Sequence, residues 1–189
     1  MKKKIVLASG NKNKLREFRE ILSDFEIISC KDLGFTKDVE ENGKTFYENA
    51  LIKAKAVAEE LGVPAISDDS GICVDYLDGA PGIYSARYAG DGVDEHNNEL
   101  LLKNLEGVKN RTARFVSAIV YYEPNGTIKY AEGSTEGEIL YKAEGENGFG
   151  YDPIFYSYDL KMSLGVASAE AKNKISHRYR ALMKLKEQL

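Results

Sequence analysis

The chain has 189 residues, of which 43% are hydrophobic and 30% are charged, and its formal net charge is −4. A chain of this length can bury a substantial core and suggests one domain or two closely joined lobes. The acidic balance excludes a general electrostatic affinity for nucleic acid, because that affinity needs an excess of lysine and arginine. It still allows a small anionic ligand in a locally basic pocket.

Neither the cysteines nor the apolar segments indicate secretion or a membrane. Cys30 and Cys73 lie far apart and lack the spacing of a zinc site. The apolar run at residues 5–8 is too short for a signal peptide, and no stretch approaches the roughly 20 apolar residues of a membrane helix. We therefore expect free thiols and a cytoplasmic protein with no membrane partner.

Strands and helices alternate in the first part of the chain. The apolar run at 4–8 predicts a buried strand, and an apolar stripe at spacings of three and four predicts a helix over 15–25. A capping box at 45–48 begins a second helix, which a glycine and a proline end after residue 61. Short strands are expected at 64–66 and 72–75.

The second part of the chain adds strands that pair in the opposite direction. A helix is expected over 94–105 and a central strand over 112–122. Asn-Gly at 125–126 predicts a hairpin whose second strand covers 127–133. Ser176 can begin a last helix. This order of elements predicts one α/β domain over 1–189, with a mixed central sheet and flanking helices.

A polar segment at 9–14 lies between the first strand and the first helix. Backbone N–H groups at a helix N-terminus bind anions, and the two lysines add positive charge, so the segment suits a phosphate group. It lacks the usual P-loop pattern, and on local features a capped helix with solvated lysines explains it slightly better. The residues are Ser9, Gly10, Asn11, Lys12, Asn13 and Lys14.

Two pairs of acids could form a metal or acid–base site. Glu40 and Glu41 precede an Asn-Gly pair, and Asp68 and Asp69 follow the apolar run at 64–66. Magnesium needs only one or two carboxylates when phosphates complete its coordination, and a further carboxylate could accept a proton from water. Taken alone, Ser-Asp-Asp-Ser-Gly at 67–71 reads more readily as a solvated turn.

Two further motifs could bind a base or a phosphate. Phe149 lies between two glycines, so a base could stack on it, although a hydrophobic turn explains the same residues. Lys172, His177 and Arg178 could donate hydrogen bonds to a ligand, or could simply form the basic start of the last helix. His96, the second histidine, lies in a polar helix start and is expected on the surface.

Four segments, taken in order, resemble the inosine triphosphate pyrophosphatase family, and its bacterial XTP/dITP diphosphatases in particular. They are SGNKNKLREF, SDDSGICVDYLDGAPGIYSARYAG, GFGYDPIF and ISHRYRAL. The resemblance covers essentially the whole chain. It implies an α/β fold with two lobes around a nucleotide cleft, and a Mg²⁺-dependent homodimer. The implied reaction hydrolyses non-canonical purine nucleotides (ITP, dITP, XTP) to the monophosphate and pyrophosphate, which cleanses the nucleotide pool.

The resemblance also assigns roles to individual residues. Asp69 is the general base and contacts the metal, with Asp68 beside it, and Glu41 is a magnesium ligand, with Glu40 as the alternative. Residues 9–14 bind the triphosphate, and Ser70 contacts substrate. The nucleotide pocket is assigned to Phe149, Gly150, Tyr151, Asp152, Lys172, His177 and Arg178. Ser67 and Asn147 depart from the family pattern at positions without a chemical role.

Two other functions fit parts of the sequence. One is a Maf-type diphosphatase that acts on other modified nucleotides, which a substrate panel would separate from the purine enzyme. The other is a nucleotide-binding module without activity, which would bind ITP without turnover. The complete set of acids at 40–41 and 68–69 favours an enzyme.

Overall fold

The computed structural model describes residues 2–189, and within this range seven strands form one sheet. The strands are β1 (Lys3–Leu7), β2 (Phe25–Ser29), β3 (Ala65–Val74), β4 (Thr112–Tyr122), β5 (Ile128–Ile139), β6 (Phe155–Ser157) and β7 (Met162–Ser163). Their order in the sheet is β2-β1-β3-β4-β5-β6-β7. The helices are α1 (Lys12–Ile21), α2 (Phe46–Leu61), α3 (Asp94–Asn104), α4 (Ala169–Lys172) and α5 (His177–Lys186).

The sheet contains both parallel and antiparallel pairs. β1 lies parallel to β2 and to β3, whereas β5 with β6 and β6 with β7 are antiparallel. A tight turn joins β4 to β5, where the Glu123 N–H donates to the Thr127 carbonyl over 2.9 Å. The predicted α/β class with a mixed sheet is therefore confirmed, as is the hairpin at 125–126.

The boundaries of α2 follow from its capping residues. Thr45 Oγ1 accepts a hydrogen bond from the Glu48 N–H over 3.1 Å, and the Glu48 carboxylate accepts one from the Lys44 N–H over 2.6 Å. At the other end Gly62 has a φ of 65°, a left-handed conformation that suits glycine. The helix predicted from residue 45 to residue 61 is confirmed.

The helix predicted over 15–25 is too long. α1 ends at Ile21, and Phe25 begins β2, a strand that was not predicted. Phe25 still packs against the same apolar cluster as Phe18 and Leu22, because β2 brings it back to that core. Its spacing along the sequence therefore imitated the apolar stripe of a helix. β6, β7 and α4 were not predicted either, since each spans four residues or fewer.

Residues 67–71 are not a turn. β3 runs without a break from Ala65 to Val74, so the two short predicted strands are one strand. Aspartate, serine and glycine favour turns when they are solvated, but Asp68 is fully buried here. The partners that bind its carboxylate keep this polar stretch in an extended, buried conformation.

The chain divides into two compact units. The first contains the chain up to Asp69, residues 117–133 and the chain from Arg178 onward. In β1, Ile5 and Leu7 pack with α1 and α5, whereas Val6 packs with α2. Because neighbouring side chains of a strand point to opposite faces, helices cover both faces of β1.

The second unit contains Ser70–Val116 and Ser134–His177. It has one apolar cluster, to which α3 contributes Leu101 and β6 contributes Phe155. The prediction of a single domain over 1–189 remains a prediction. No helix between residues 2 and 189 is long and apolar enough to cross a membrane.

Candidate functional site

Asp68 lies in the first unit and is enclosed by charged partners. Its Oδ2 is 2.8 Å from Lys14 Nζ and 3.0 Å from Arg178 Nη2, and its Oδ1 accepts a hydrogen bond from Ser117 Oγ. Burial alone would raise the pKa of this carboxyl, but Arg178 and Lys14 outweigh burial and hold the pKa well below its usual value. Asp68 is therefore a buried anion that joins α1, β3 and α5.

Arg178 is buried together with a second carboxylate. Its guanidinium pairs with Glu17 of α1 as well as with Asp68, and only 1% of the arginine surface is exposed. Burial opposes the charge, yet the two carboxylates raise the pKa of Arg178. The assignment of Arg178 to the base of a nucleotide remains a prediction. These contacts show that it also neutralises Asp68.

Asp69 has very different surroundings from those of its neighbour. It is 7% exposed, and its Oδ1 lies 3.6 Å from Lys53 Nζ. Its Oδ2 is buried and has no hydrogen-bond partner. Burial raises the pKa of Asp69 to about 6, even though Lys53 and Lys14 act in the opposite direction. A carboxylate with such a pKa can accept a proton near neutral pH.

Glu41 and Asp69 both lie close to the same lysine, Lys53. Lys53 Nζ lies 3.2 Å from Glu41 Oε2 and donates to the Asp68 carbonyl over 3.0 Å. Glu40, the alternative ligand, is exposed to solvent. The structure therefore places Glu41 beside the aspartates.

The donors present would suit a hard cation such as Mg²⁺. In the part of the chain that the structure describes, no three histidine, cysteine, aspartate or glutamate side chains cluster as a closed metal site. Mg²⁺ does not need such a cluster, because water and phosphate oxygens complete its coordination. The free oxygen of Asp69 and the nearby Glu41 offer two carboxylates. Asp68 would first have to release Lys14 or Arg178.

The polar turn at 9–14 begins α1. Asn11 is its N-cap, and the Asn11 Oδ1 accepts from the N–H groups of Asn13 (2.9 Å) and Lys14 (3.1 Å). Ser9 Oγ accepts from the Asn11 N–H over 3.1 Å. A Cβ on Gly10 would lie 2.8 Å from the end of the Lys31 side chain. The turn is therefore a capped helix start that directs Lys14 to Asp68. Phosphate binding here remains a prediction.

The second unit brings together four of the predicted residues. Lys172 Nζ lies 2.6 Å from Asp152 Oδ2 and 4.5 Å from the centroid of the Phe149 ring. The Phe149 N–H donates to the same carboxylate oxygen over 3.0 Å. Tyr151 is buried, and its hydroxyl donates to the Ser85 carbonyl over 2.6 Å. Asp152 and Tyr151 thus fix the loop that carries Phe149.

His177 and Ser70 lie at the ends of segments of this unit. The His177 ring stacks on Phe115, with centroids 4.9 Å apart and an interplanar angle of 14°. Ser70 follows Asp69 in β3 and is half-buried. His96, predicted on the surface, is exposed and bonds to Asp91.

Comparison with known proteins decides the family. Residues 5–188 match the Ham1 family. The chain belongs to the Ham1 family. This confirms the resemblance read from the four sequence segments.

Several relatives of this Ham1-family chain share a name. A protein of Desulforamulus reducens named dITP/XTP pyrophosphatase is 50% identical over 97% of this chain and 94% of its own. One of the same name from Bacillus licheniformis is 46% identical over 97% and 96%. The solved structure of the Staphylococcus aureus Ham1 protein is 45% identical, with a TM-score of 0.89 over 98% of this chain and 97% of its own.

Lys53 is the residue of this Ham1-family site that the sequence reasoning missed. It lies in α2 between the buried Ala50 and Val57, three residues after one and four before the other. That spacing places a lysine on the apolar face, which was the available signal. Ser67, one of the departures from the family pattern, is buried and its hydroxyl donates to the Ala50 carbonyl.

Gly148→Ala should destabilise the Phe149 loop. Gly148 has a φ of 74°, and an added Cβ would lie 2.1 Å from the Asp152 oxygen that holds Lys172 and Phe149. Gly62→Ala is the matched control, because its φ of 65° is similar and nothing lies within 4 Å of an added Cβ. In urea unfolding we expect Gly148→Ala to cost about 2 kcal/mol more than the control. Equal losses would contradict the close contact with Asp152.

Proposed function

We propose that this protein is a nucleoside-triphosphate diphosphatase that hydrolyses ITP, dITP and XTP to the monophosphate and pyrophosphate. One observation supports this most directly: the buried Asp69 carboxylate has a pKa raised to about 6 and an oxygen without a partner, beside Lys53 and Glu41. The name that its relatives carry, dITP/XTP pyrophosphatase, supports the choice of substrate.

The proposed chemistry uses residues of the first unit. Asp69 orients a water molecule and accepts its proton as the water oxygen attacks the phosphorus bonded to the nucleoside. The bond from this phosphorus to the bridging oxygen breaks, and pyrophosphate leaves. Lys14, held by Asp68, and Lys53 offset negative charge that develops on the phosphate oxygens. The backbone of residues 9–14 binds the triphosphate.

Mg²⁺ is the cofactor that this proposal includes. Glu41 and Asp69 would hold it, and the partners of Asp68 make that residue a support for Lys14 and Arg178. When bound, Mg²⁺ would supply positive charge that stabilises the phosphate oxygens and acidifies water. The homodimer and the cytoplasmic location belong to the same proposal and rest on the resemblance.

Base recognition is assigned to Phe149, with hydrogen-bond donors from Lys172, His177 and Arg178. Donors that face a 6-oxo group would meet the 6-amino group of adenine with no acceptor. An unsatisfied buried polar group costs about 1–3 kcal/mol, which corresponds to roughly 5- to 150-fold rejection of ATP. Guanine has the same 6-oxo group, so its rejection must depend on its 2-amino group.

The products of ITP hydrolysis test the proposed bond cleavage. We expect the protein to release pyrophosphate and IMP from ITP, and similarly from dITP and XTP, with much slower turnover of ATP and GTP. EDTA should abolish the activity and Mg²⁺ should restore it. Orthophosphate as the first product would contradict the site of attack. Preference for modified pyrimidines would favour the Maf-type alternative, and ITP binding without turnover would favour a non-enzymatic module.

A further inference from the structure

Two side chains of α3 form hydrogen bonds with the backbone of Gly150, which follows Phe149 in its loop. Asp94 Oδ2 accepts a hydrogen bond from the Gly150 N–H over 2.9 Å, and Asn98 Nδ2 donates to the Gly150 carbonyl over 3.1 Å. Residues four apart on a helix lie on the same face, so one surface of α3 presents an acceptor and a donor together. Both polar backbone groups of Gly150 are therefore fixed by side chains.

These two hydrogen bonds add to the restraint that Asp152 and Tyr151 already place on the loop. Gly148 and Gly150 have φ values of 74° and 60°, and glycine loses more conformational freedom on folding than any other residue. Between them, the Phe149 N–H is bound by Asp152. With Asp94 and Asn98 in place, consecutive N–H groups at 149 and 150 are both bound, so the backbone that carries the Phe149 ring is fixed.

Asn98 makes this contact at a cost to the fold. Its Oδ1 is buried and has no hydrogen-bond partner. Such a group destabilises a protein, so its presence in a fold needs a reason. Here the reason is geometric, since only the amide nitrogen can face the Gly150 carbonyl.

We propose that Asp94 and Asn98 are positioning residues for base binding, which act by holding Gly150 and thereby Phe149. The proposal rests on the proposed function, in which a purine stacks on Phe149. Because neither residue belongs to the carboxylate and lysine cluster around Asp69, their loss should weaken substrate binding and leave the phosphate chemistry intact. The kinetic effect is then expected in KM and not in kcat.

Steady-state kinetics with ITP provide the first test. Asn98→Ala should raise KM about threefold to tenfold, the range expected for one lost hydrogen bond, with kcat within about twofold of wild type. Asp94→Ala should raise KM in the same way, whereas Asp94→Asn retains an acceptor oxygen and should stay near wild type. Asn98→Asp removes the donor and should be at least as damaging as Asn98→Ala.

The neighbouring asparagine is the matched control. Asn97 is buried on the same helix but bonds to the backbone of Ala86 and Ala89, so Asn97→Ala should lower stability without a rise in KM. Exposed Glu99→Ala is a second control if Asn97→Ala does not fold. An unchanged KM in Asn98→Ala, or an equal rise in a control, would overturn the proposal.

Hydrogen exchange separates failure of this proposal from failure of the proposed function. In the protein without substrate, the amides of 148–152 should exchange faster in Asn98→Ala than in wild type, and should not change in Glu99→Ala. If wild type does not hydrolyse ITP, the proposed function fails. Hydrogen exchange then tests by itself whether Asp94 and Asn98 restrain Gly150. Unchanged exchange in Asn98→Ala would refute this restraint whatever the activity.

Discussion

Asp69→Asn should abolish most of the turnover of ITP and, in the absence of metal, should stabilise the fold. A general base contributes about 10²- to 10⁴-fold to a rate, so kcat is expected to fall by roughly 10³-fold. The gain in stability follows from the surroundings of Asp69, a buried carboxylate whose Oδ2 has no partner. Neutral asparagine removes the charge that burial disfavours.

The pH dependence of this gain has a defined sign. The pKa of Asp69 is about 6 in the folded protein and 3.8 without the fold, so the folded state binds more protons between these values. Stability therefore falls as the pH rises through this window, and the whole penalty is present at pH 7. The expected gain at pH 7 is on the order of 3 kcal/mol.

Urea unfolding with a chelator, at pH 7 and at pH 4, measures the effect. Asp69→Asn should exceed wild type at pH 7, and the difference should shrink at pH 4, where Asp69 is protonated in the folded protein. Retained turnover in this variant would remove the assignment of the base. A loss of stability at pH 7 would show that burial does not disfavour the ionised carboxylate of Asp69.

Asp68→Asn should have the opposite effect on stability. It removes the carboxylate that pairs with both Lys14 and Arg178, in surroundings where Asp68 is fully buried. Removal of one partner from a buried ion pair costs about 3–5 kcal/mol. Because the pKa of Asp68 is lowered in the fold, its contribution is present above its unfolded pKa and is lost as the pH falls through the folded value.

Asp75→Asn provides the control for this loss. Like Asp68, Asp75 accepts hydrogen bonds from one arginine (Arg114, 3.0 Å) and one hydroxyl (Thr112, 2.7 Å), but 39% of its side chain is exposed. An exposed pair is worth about 1 kcal/mol or less. In urea at pH 7, Asp68→Asn should lose several times more stability than Asp75→Asn. Similar losses would contradict the role of burial.

Local signals predicted much of the fold. The bounds of α2 could be read from Thr45 and Gly62, because capping depends on residues within one turn of the helix end. An apolar run predicted β4 and an Asn-Gly pair predicted the hairpin after it, because these signals are also local.

The errors have a common physical origin. Residues 67–71 form a strand because Lys14, Ser117 and Arg178, which are distant in sequence, satisfy Asp68. Phe25 belongs to β2 because the chain reverses before it. Partners brought together by tertiary structure override local preference in both cases, and one sequence does not reveal them. The position of Lys53 on an apolar helix face was a visible signal that was not used.

The place of Asp69 in a continuous strand determines when its backbone loses conformational freedom. β3 runs through Asp69 from Ala65 to Val74, so the backbone of Asp69 loses its conformational freedom when the chain folds. A substrate that arrives later does not have to order this carboxylate. Its conformational entropy should therefore be absent from the thermodynamics of nucleotide binding.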